Sequence, residues 1–160
     1  VNDIVSSINN LSKIGCTCVM LPCNSAHYFY DTVSKKIVIP WLNMIEIVSN
    51  KMSDLNYVRP LILGGFVTTH TKIYSKYLPY SVYLTETENR RIESIIEEVK
   101  GTNNISKISE KSLKRIINNY NDSIDSILLA CTELPIVIKE NSFEGKKVIS
   151  SIDEYINYLI

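Results

Sequence analysis

Apolar positions along this chain switch repeatedly between a helical period and short continuous runs, which predicts helices and strands in alternation. Ile4, Ile8 and Leu11 recur at helical spacing behind Asp3, a plausible cap, and predict a helix ending near Gly15. The run TCVML (17–21) is short, apolar and rich in β-formers, and Pro22 stops it, so it reads as a buried strand. Residues 24–35 carry no strand alternation and predict a helix starting immediately after Cys23. IVIP (37–40) predicts a second short strand. Asn43 is then placed to cap a helix through about Leu55, with Ile45, Val48 and Met52 along one face.

The rhythm continues. VRPLILGG (58–65) predicts a strand closing on a glycine pair, residues 68–78 a helix with Ile73 and Tyr77 on one side, and SVYL (81–84) another strand. Over 86–100, Ile92, Ile95, Ile96 and Val99 form the stripe of an amphipathic helix that Gly101 should end. A further helix is expected over 106–120, capped by Ser106 or Ser109. SILLA (126–130) predicts a strand ending at Cys131, followed by a short helix near 134–139. KVIS (147–150) is the last strand, and a terminal helix over 152–160 carries Asp153 and Glu154 in its first turn. Strands alternating with helices at this pace predict an α/β fold with a parallel sheet and helices on both faces. Ligands of such sheets sit at strand carboxyl ends near a topological switch, and Cys23 and Cys131 both fall at such ends.

Composition narrows the class. With 160 residues, 45% of them hydrophobic, the chain can bury one ordinary domain or two small packed lobes. Seventeen basic residues balance seventeen acidic ones, which argues against a nucleic acid or an anionic membrane as the main partner. No apolar run reaches the roughly 18–20 residues that cross a bilayer, and VNDIVSS lacks the pattern of a secretory signal. The four cysteines are Cys16, Cys18, Cys23 and Cys131, three of them crowded together, unlike a disulfide-stapled secreted domain. Free thiols in a reducing cytoplasm are the expectation.

Two segments carry the candidate chemistry, LPCNSAH (21–27) and LACTELP (129–135). Each has an apolar strand, a cysteine, one or two short polar residues and a helix start, a layout that suggests two related lobes facing each other. A thiol just before a helix feels the positive end of its dipole and free N–H groups, which favour the thiolate. The same N–H groups, with Asn24, Ser25 and Thr132, could cradle a carboxylate. Two such half-sites could hold an amino acid with one sulfur on each side of its Cα.

PCNSAH and CTELP resemble the two signature motifs of the aspartate/glutamate racemase superfamily. Glu133 stands where the glutamate racemase branch usually carries histidine, so the aspartate racemase branch is the closer match. LGGFVT (63–68) is similar to the family's LGT-x-x-T strand end, and EEVKG (97–101) matches a place where members often carry a substrate-binding lysine. The resemblance implies a cofactor-independent amino-acid racemase without a metal, in which one cysteine as thiolate takes the Cα proton and the other as thiol reprotonates the opposite face. Cys23 and Cys131 would fill these roles. Asn24, Ser25, Thr68 and Thr132 would hold the α-carboxylate and amino group, and Lys100 the side-chain carboxylate of a small acidic substrate, aspartate first. Glu133 would orient its neighbours or contact the amino group. A homodimer is also implied.

Departures from the family accompany the match. Ala130 replaces the glycine that usually begins the second motif, and Gly65 replaces the first threonine of LGT-x-x-T. The family opens with a further strand–helix unit that supplies an arginine, and Arg59, Arg90, Arg91 and Arg115 match no such position. The expected architecture is therefore two pseudo-symmetric lobes, each a parallel sheet flanked by helices, the first lacking its N-terminal unit. The first lobe would comprise residues 1–43 and 146–160, the second 44–145. Two alternatives stay open: another activity of the superfamily (a hydantoin racemase, a decarboxylase or an isomerase), or a ligand-binding remnant without turnover.

The remaining candidates read as structural. Cys16 and Cys18 share strand parity with Met20, opposite to Cys23, and should pack in the core. Cys16, Cys18, Cys23 and His27 could be read as a zinc set, but two ligands inside one strand fit structural zinc poorly. His27 should make a local hydrogen bond at a helix start, and His70 should be solvated. The glycine pair 64–65 begins no phosphate-loop pattern.

Overall fold

The computed structural model describes residues 1–159. Helix α1 spans Asn2–Lys13 and buries Ile8, the middle of the periodic apolar triad. Gly15 follows at φ +96, and the Cys16 N–H returns to the Leu11 carbonyl. After Cys23 the chain winds through a 3-10 turn at Asn24–Phe29, the short helix α2 at Tyr30–Val33 and a second 3-10 turn at Ser34–Lys36. The Asn43 side chain accepts the N–H groups of Ile45 and Glu46 and so caps α3, Met44–Asp54.

The second half follows in regular order. Strand β1 is Pro60–Gly64, helix α4 Phe66–His70, strand β2 Val82–Tyr83, and helices α5 and α6 Glu86–Thr102 and Lys107–Asn118. Strand β3 is Ser126–Ala130, helix α7 Leu134–Val137, strands β4 and β5 Ser142–Phe143 and Lys146–Ser150, and helix α8 Ser151–Asn157. The five strands form one sheet in the order β2-β1-β3-β5-β4, parallel throughout except for β4 against β5. The Asp125 carboxylate accepts the N–H groups of Val58 and Arg59 at 2.7 and 2.8 Å, which pins the start of β3 to the start of β1.

Side-chain alternation sorts the sheet into two packed faces. Leu61, Leu63, Ile127, Leu129 and Val148 meet the stripe Ile92, Ile95, Ile96 and Val99 of α5 and Leu113, Ile116 and Ile117 of α6. Ile62, Leu128, Ala130 and Ile149 face Met44, Ile45, Val48 and Met52 of α3 and Tyr155 of α8. A third cluster joins Ile8 of α1 to Val33 and Trp41. The α/β class and the mostly parallel sheet agree with the pattern of apolar runs.

Several expectations change. The runs 17–21 and 37–40 do not become strands of a sheet; the first gains a single parallel bridge, Val19 to Trp41 just past the second, closed by Val19 N–H to the Pro40 carbonyl and Leu42 N–H to the Val19 carbonyl. Pro22 and Pro40 lack the N–H that would extend the ladder, and Val38 remains 73% exposed. Cys16 is therefore only half-buried and Cys18 exposed, instead of packing in a core. The helix expected over 68–78 breaks at Lys72, which adopts a left-handed φ of 51, into α4 and a 3-10 turn at Ile73–Lys76. Helix α5 runs past Gly101 and stops at left-handed Asn103, whose N–H returns to the Val99 carbonyl. Strand β4 had no apolar run to announce it. Residues 146–150 form β5, hydrogen-bonded to β3. The terminal helix is α8, capped by Ser150, and the expected end at Ile160 lies outside the described residues. Among the described residues no helix is long and apolar enough to cross a membrane.

Candidate active site

β1 and β3 lie side by side at the middle of the sheet, and their neighbours diverge, β2 beyond β1 and β5 beyond β3. A crevice opens at the carboxyl ends of strands that part in this way. Gly64 ends β1 there, and a Cβ on it would stand 2.9 Å from the Ala130 carbonyl oxygen and 3.1 Å from Thr68 Cγ2. Only glycine lets the two strand ends and α4 close up so far. The resulting cleft, about 260 Å3, is lined by Cys23, Asn24 and Ser25 on one side and Cys131, Thr132 and Glu133 on the other. Gly65, Phe66 and Val67 border it, and α5 walls it with Glu93, Ile96, Glu97 and Lys100. A wider groove of about 550 Å3 runs over α3 and α8 but carries no cysteine and no motif residue, so the chemistry favours the smaller cleft.

Cys131 follows the last residue of β3 directly. Its thiol donates to Glu133 Oε2 at 2.8 Å, and the Thr132 hydroxyl donates to the same oxygen at 3.0 Å. Burial, then the Glu133 hydrogen bond, pushes the thiol up to about 12. The expected lowering by a helix start is absent here, because α7 has four residues and the thiol is buried against a carboxylate. Burial works against the Glu133 carboxylate as well, but hydrogen bonds from Cys131 and Thr132, together with Lys100, hold its pKa below the usual range. At neutral pH the pair is therefore a thiol donating to a carboxylate. Lys100 sits on the rim with its ammonium 2.8 Å from Glu97 on the same helix, and that bond raises its pKa.

Cys23 stands exposed at the mouth of the cleft, and its scaffold is built from side chains. The Met44 N–H donates to His27 Nε2 at 3.1 Å, so Nε2 is unprotonated and Nδ1–H donates to the Cys23 carbonyl at 2.9 Å. Burial lowers the His27 pKa from its ordinary 6.5, against the backbone hydrogen bonds, and keeps this neutral tautomer. His27 thus has the local structural role that its position suggested. Asn24 is buried, with its Nδ2 donating to Ser151 Oγ and its Oδ1 accepting from Tyr74. Ser25 shares a hydrogen bond of 3.1 Å with Thr68, whose side chain is fully buried behind the cleft.

The cleft gathers seven of the eight site residues singled out from the motifs, and Thr68 supports it from behind through Ser25. Glu93 and Glu97 were missed; their spacing of four and then three residues to Lys100 on one helix face was the available signal. His70 is exposed and stacks on Phe66 at 4.8 Å. Among the described residues no three His, Cys, Asp or Glu side chains gather as a metal site.

A family model described as Asp/Glu/Hydantoin racemase matches residues 2–159. The chain is 24% identical over 140 residues to the broad specificity amino-acid racemase RacX of Bacillus subtilis (strain 168), covering 84% of this chain and 60% of that protein. Among solved structures it resembles Picrophilus torridus aspartate racemase, at 26% identity and TM-score 0.78, over 96% of this chain and 64% of that one. An aspartate racemase homologue from Pyrococcus horikoshii OT3 shares the fold at TM-score 0.83 and 23% identity, over 99% and 71%. The chain thus spans somewhat under two thirds of the length of the first two of these relatives.

Proposed function

The chain belongs to the Asp/Glu/hydantoin racemase family, and from that premise we propose that it inverts an amino acid at Cα with Cys23 and Cys131 as opposed base and acid. The observation that carries the reading is that two thiols distant in sequence line one cleft at the carboxyl ends of the sheet. Cys131 is held as a thiol, so the first step falls to Cys23 as thiolate. Cys23 takes the Cα proton, the electron pair delocalises into the α-carboxylate, and Cys131 delivers its own proton to the opposite face. Cys23 ends as thiol and Cys131 as thiolate, the state poised for the reverse reaction. Ser25, Thr132 and neighbouring N–H groups hold the α-carboxylate and amino group, and no cofactor takes part.

The resemblance favours aspartate, with Lys100 leaving Glu97 for the side-chain carboxylate. One observation favours a second reading, a substrate without that carboxylate: Glu93, Glu97 and Glu133 outnumber the single ammonium of Lys100 in the cleft lining. The ratio of kcat/KM for aspartate to that for alanine and lysine decides between them. A homodimer, a cytoplasmic setting and the division into lobes of 1–43 with 146–160 and 44–145 belong to the same proposal; sedimentation reads the first.

Racemisation in deuterium oxide tests the function. The product enantiomer should gain one solvent deuteron at Cα, and replacing either cysteine by alanine should stop inversion. Undiminished inversion in either variant would overturn the two-thiol mechanism.

A further inference from the structure

A buried chain of hydrogen bonds joins the two cysteine segments. Ser151, the first residue of α8, donates its hydroxyl proton to the Leu129 carbonyl at 2.8 Å, two residues before Cys131. With that proton committed, Ser151 Oγ can only accept from Asn24, which therefore presents its amide nitrogen, at 3.0 Å. Asn24 Oδ1 must then face Tyr74, whose phenol donates to it. One backbone carbonyl of β3 thus fixes the direction of every bond out to the residue that follows Cys23. Tyr74 and Ser151 are fully buried and Asn24 nearly so.

Turning Asn24 away would break both of its bonds and leave the Tyr74 hydroxyl unpartnered in the core, a costly exchange, while Ser151 would keep its bond to the Leu129 carbonyl. The motif asparagine is thereby braced from both sides and acts as a strut. The strut matters because Cys23 has no strand beneath it; the segment before it is held by the Val19–Trp41 bridge and by the Leu21 N–H donating to the Tyr155 hydroxyl at 3.4 Å.

We propose that Tyr74 and Ser151 are positioning residues that act through Asn24 to set Cys23 against Cys131 across the cleft. The proposal rests on the racemase reading for its catalytic consequence, while its geometric content stands apart from it. A misplacement of about 1 Å at a reacting group costs on the order of 100-fold in rate. Loss of the strut should therefore lower kcat and leave KM nearly unchanged.

The test compares wild type with Tyr74→Phe, Ser151→Ala and Ser151→Thr, the last retaining the hydroxyl. Two readouts are taken: kcat and KM for amino-acid racemisation, and cross-linking of Cys23 to Cys131 by a short bifunctional thiosulfonate, mapped by mass spectrometry. Tyr74→Phe and Ser151→Ala should lose roughly 10- to 100-fold in kcat with KM within about twofold, and Ser151→Thr should stay within about threefold of wild type. Cross-link yield should fall in the first two variants while single-site alkylation of each thiol is unchanged. Unaltered kcat and cross-linking in Tyr74→Phe and Ser151→Ala, or a loss confined to KM, would overturn the proposal. A wild type that cross-links but inverts no amino acid would refute the racemase reading, and the cross-link comparison would still decide the strut.

Discussion

The two cysteine segments look alike in sequence and differ in construction. Cys131 is placed by backbone: it follows a central strand paired on both sides, half-buried, with its thiol tied to Glu133. Cys23 is placed by side chains: His27 holds its carbonyl, Asn24 ties the next residue to α8, and its thiol is exposed. A sheet edge or centre tolerates many side-chain changes because its ladder is main chain, whereas a strut of three side chains fails when one is lost. One thiol of the proposed pair can thus be robustly placed and the other delicately, within one cleft.

The largest effect should come from closing the space under the robust half. Gly64→Ala puts a methyl 2.9 Å from the Ala130 carbonyl, a backbone atom that cannot swing away. It should destabilise the fold by about 1–3 kcal/mol, read as a lowered midpoint in urea, with activity falling alongside. An unchanged midpoint would show that β1 and β3 part more easily than this packing implies.

Glu133→Gln comes next. Burial of Cys131 persists, but the carboxylate that accepts its proton is gone, so the thiol pKa falls from about 12 and the alkaline limb of kcat moves to lower pH. A loss of roughly tenfold in kcat at neutral pH should accompany it. A limb that stays in place would separate Glu133 from the acid role of Cys131.

On the delicate half, His27 supplies a pH dependence. Its folded pKa lies below the unfolded 6.5, so the unfolded chain binds more protons between the two values. Stability is then complete above pH 6.5 and lost as pH falls through the folded value, by at most about 1.4 kcal/mol per pH unit. Thermal melts from pH 8 to 5 read this, and His27→Gln should flatten the trend. Smallest of all should be Lys100→Gln: the exposed pair with Glu97 is worth about 0–1 kcal/mol, so stability holds while KM rises for aspartate and stays level for alanine.

What the sequence made legible follows the same division. Ser126–Ala130 came out residue for residue because a continuous apolar run between polar residues has no other use in an α/β fold. The body of helix α5 was equally clear, since the stripe Ile92, Ile95, Ile96 and Val99 lies within local reach, although the helix runs past Gly101. Residues 17–21 and 37–40 carry strand composition, yet whether a strand forms depends on what pairs with it, and the one bridge there joins Val19 to Trp41, just past the second run. The motifs marked Asn24 and Thr68 as substrate contacts. Their partners, Tyr74, Ser151 and Ser25, lie 50, 127 and 43 residues away in sequence, and no local pattern announces them.

The central claim is that Cys23 and Cys131 face a shared Cα from opposite sides. Single-cysteine variants test it most directly through exchange of the Cα proton in deuterium oxide, followed separately for each enantiomer. With Cys131→Ala, only the enantiomer whose proton faces Cys23 should exchange, with retention; with Cys23→Ala, only its mirror image should. Exchange of the same enantiomer in both variants would contradict the account.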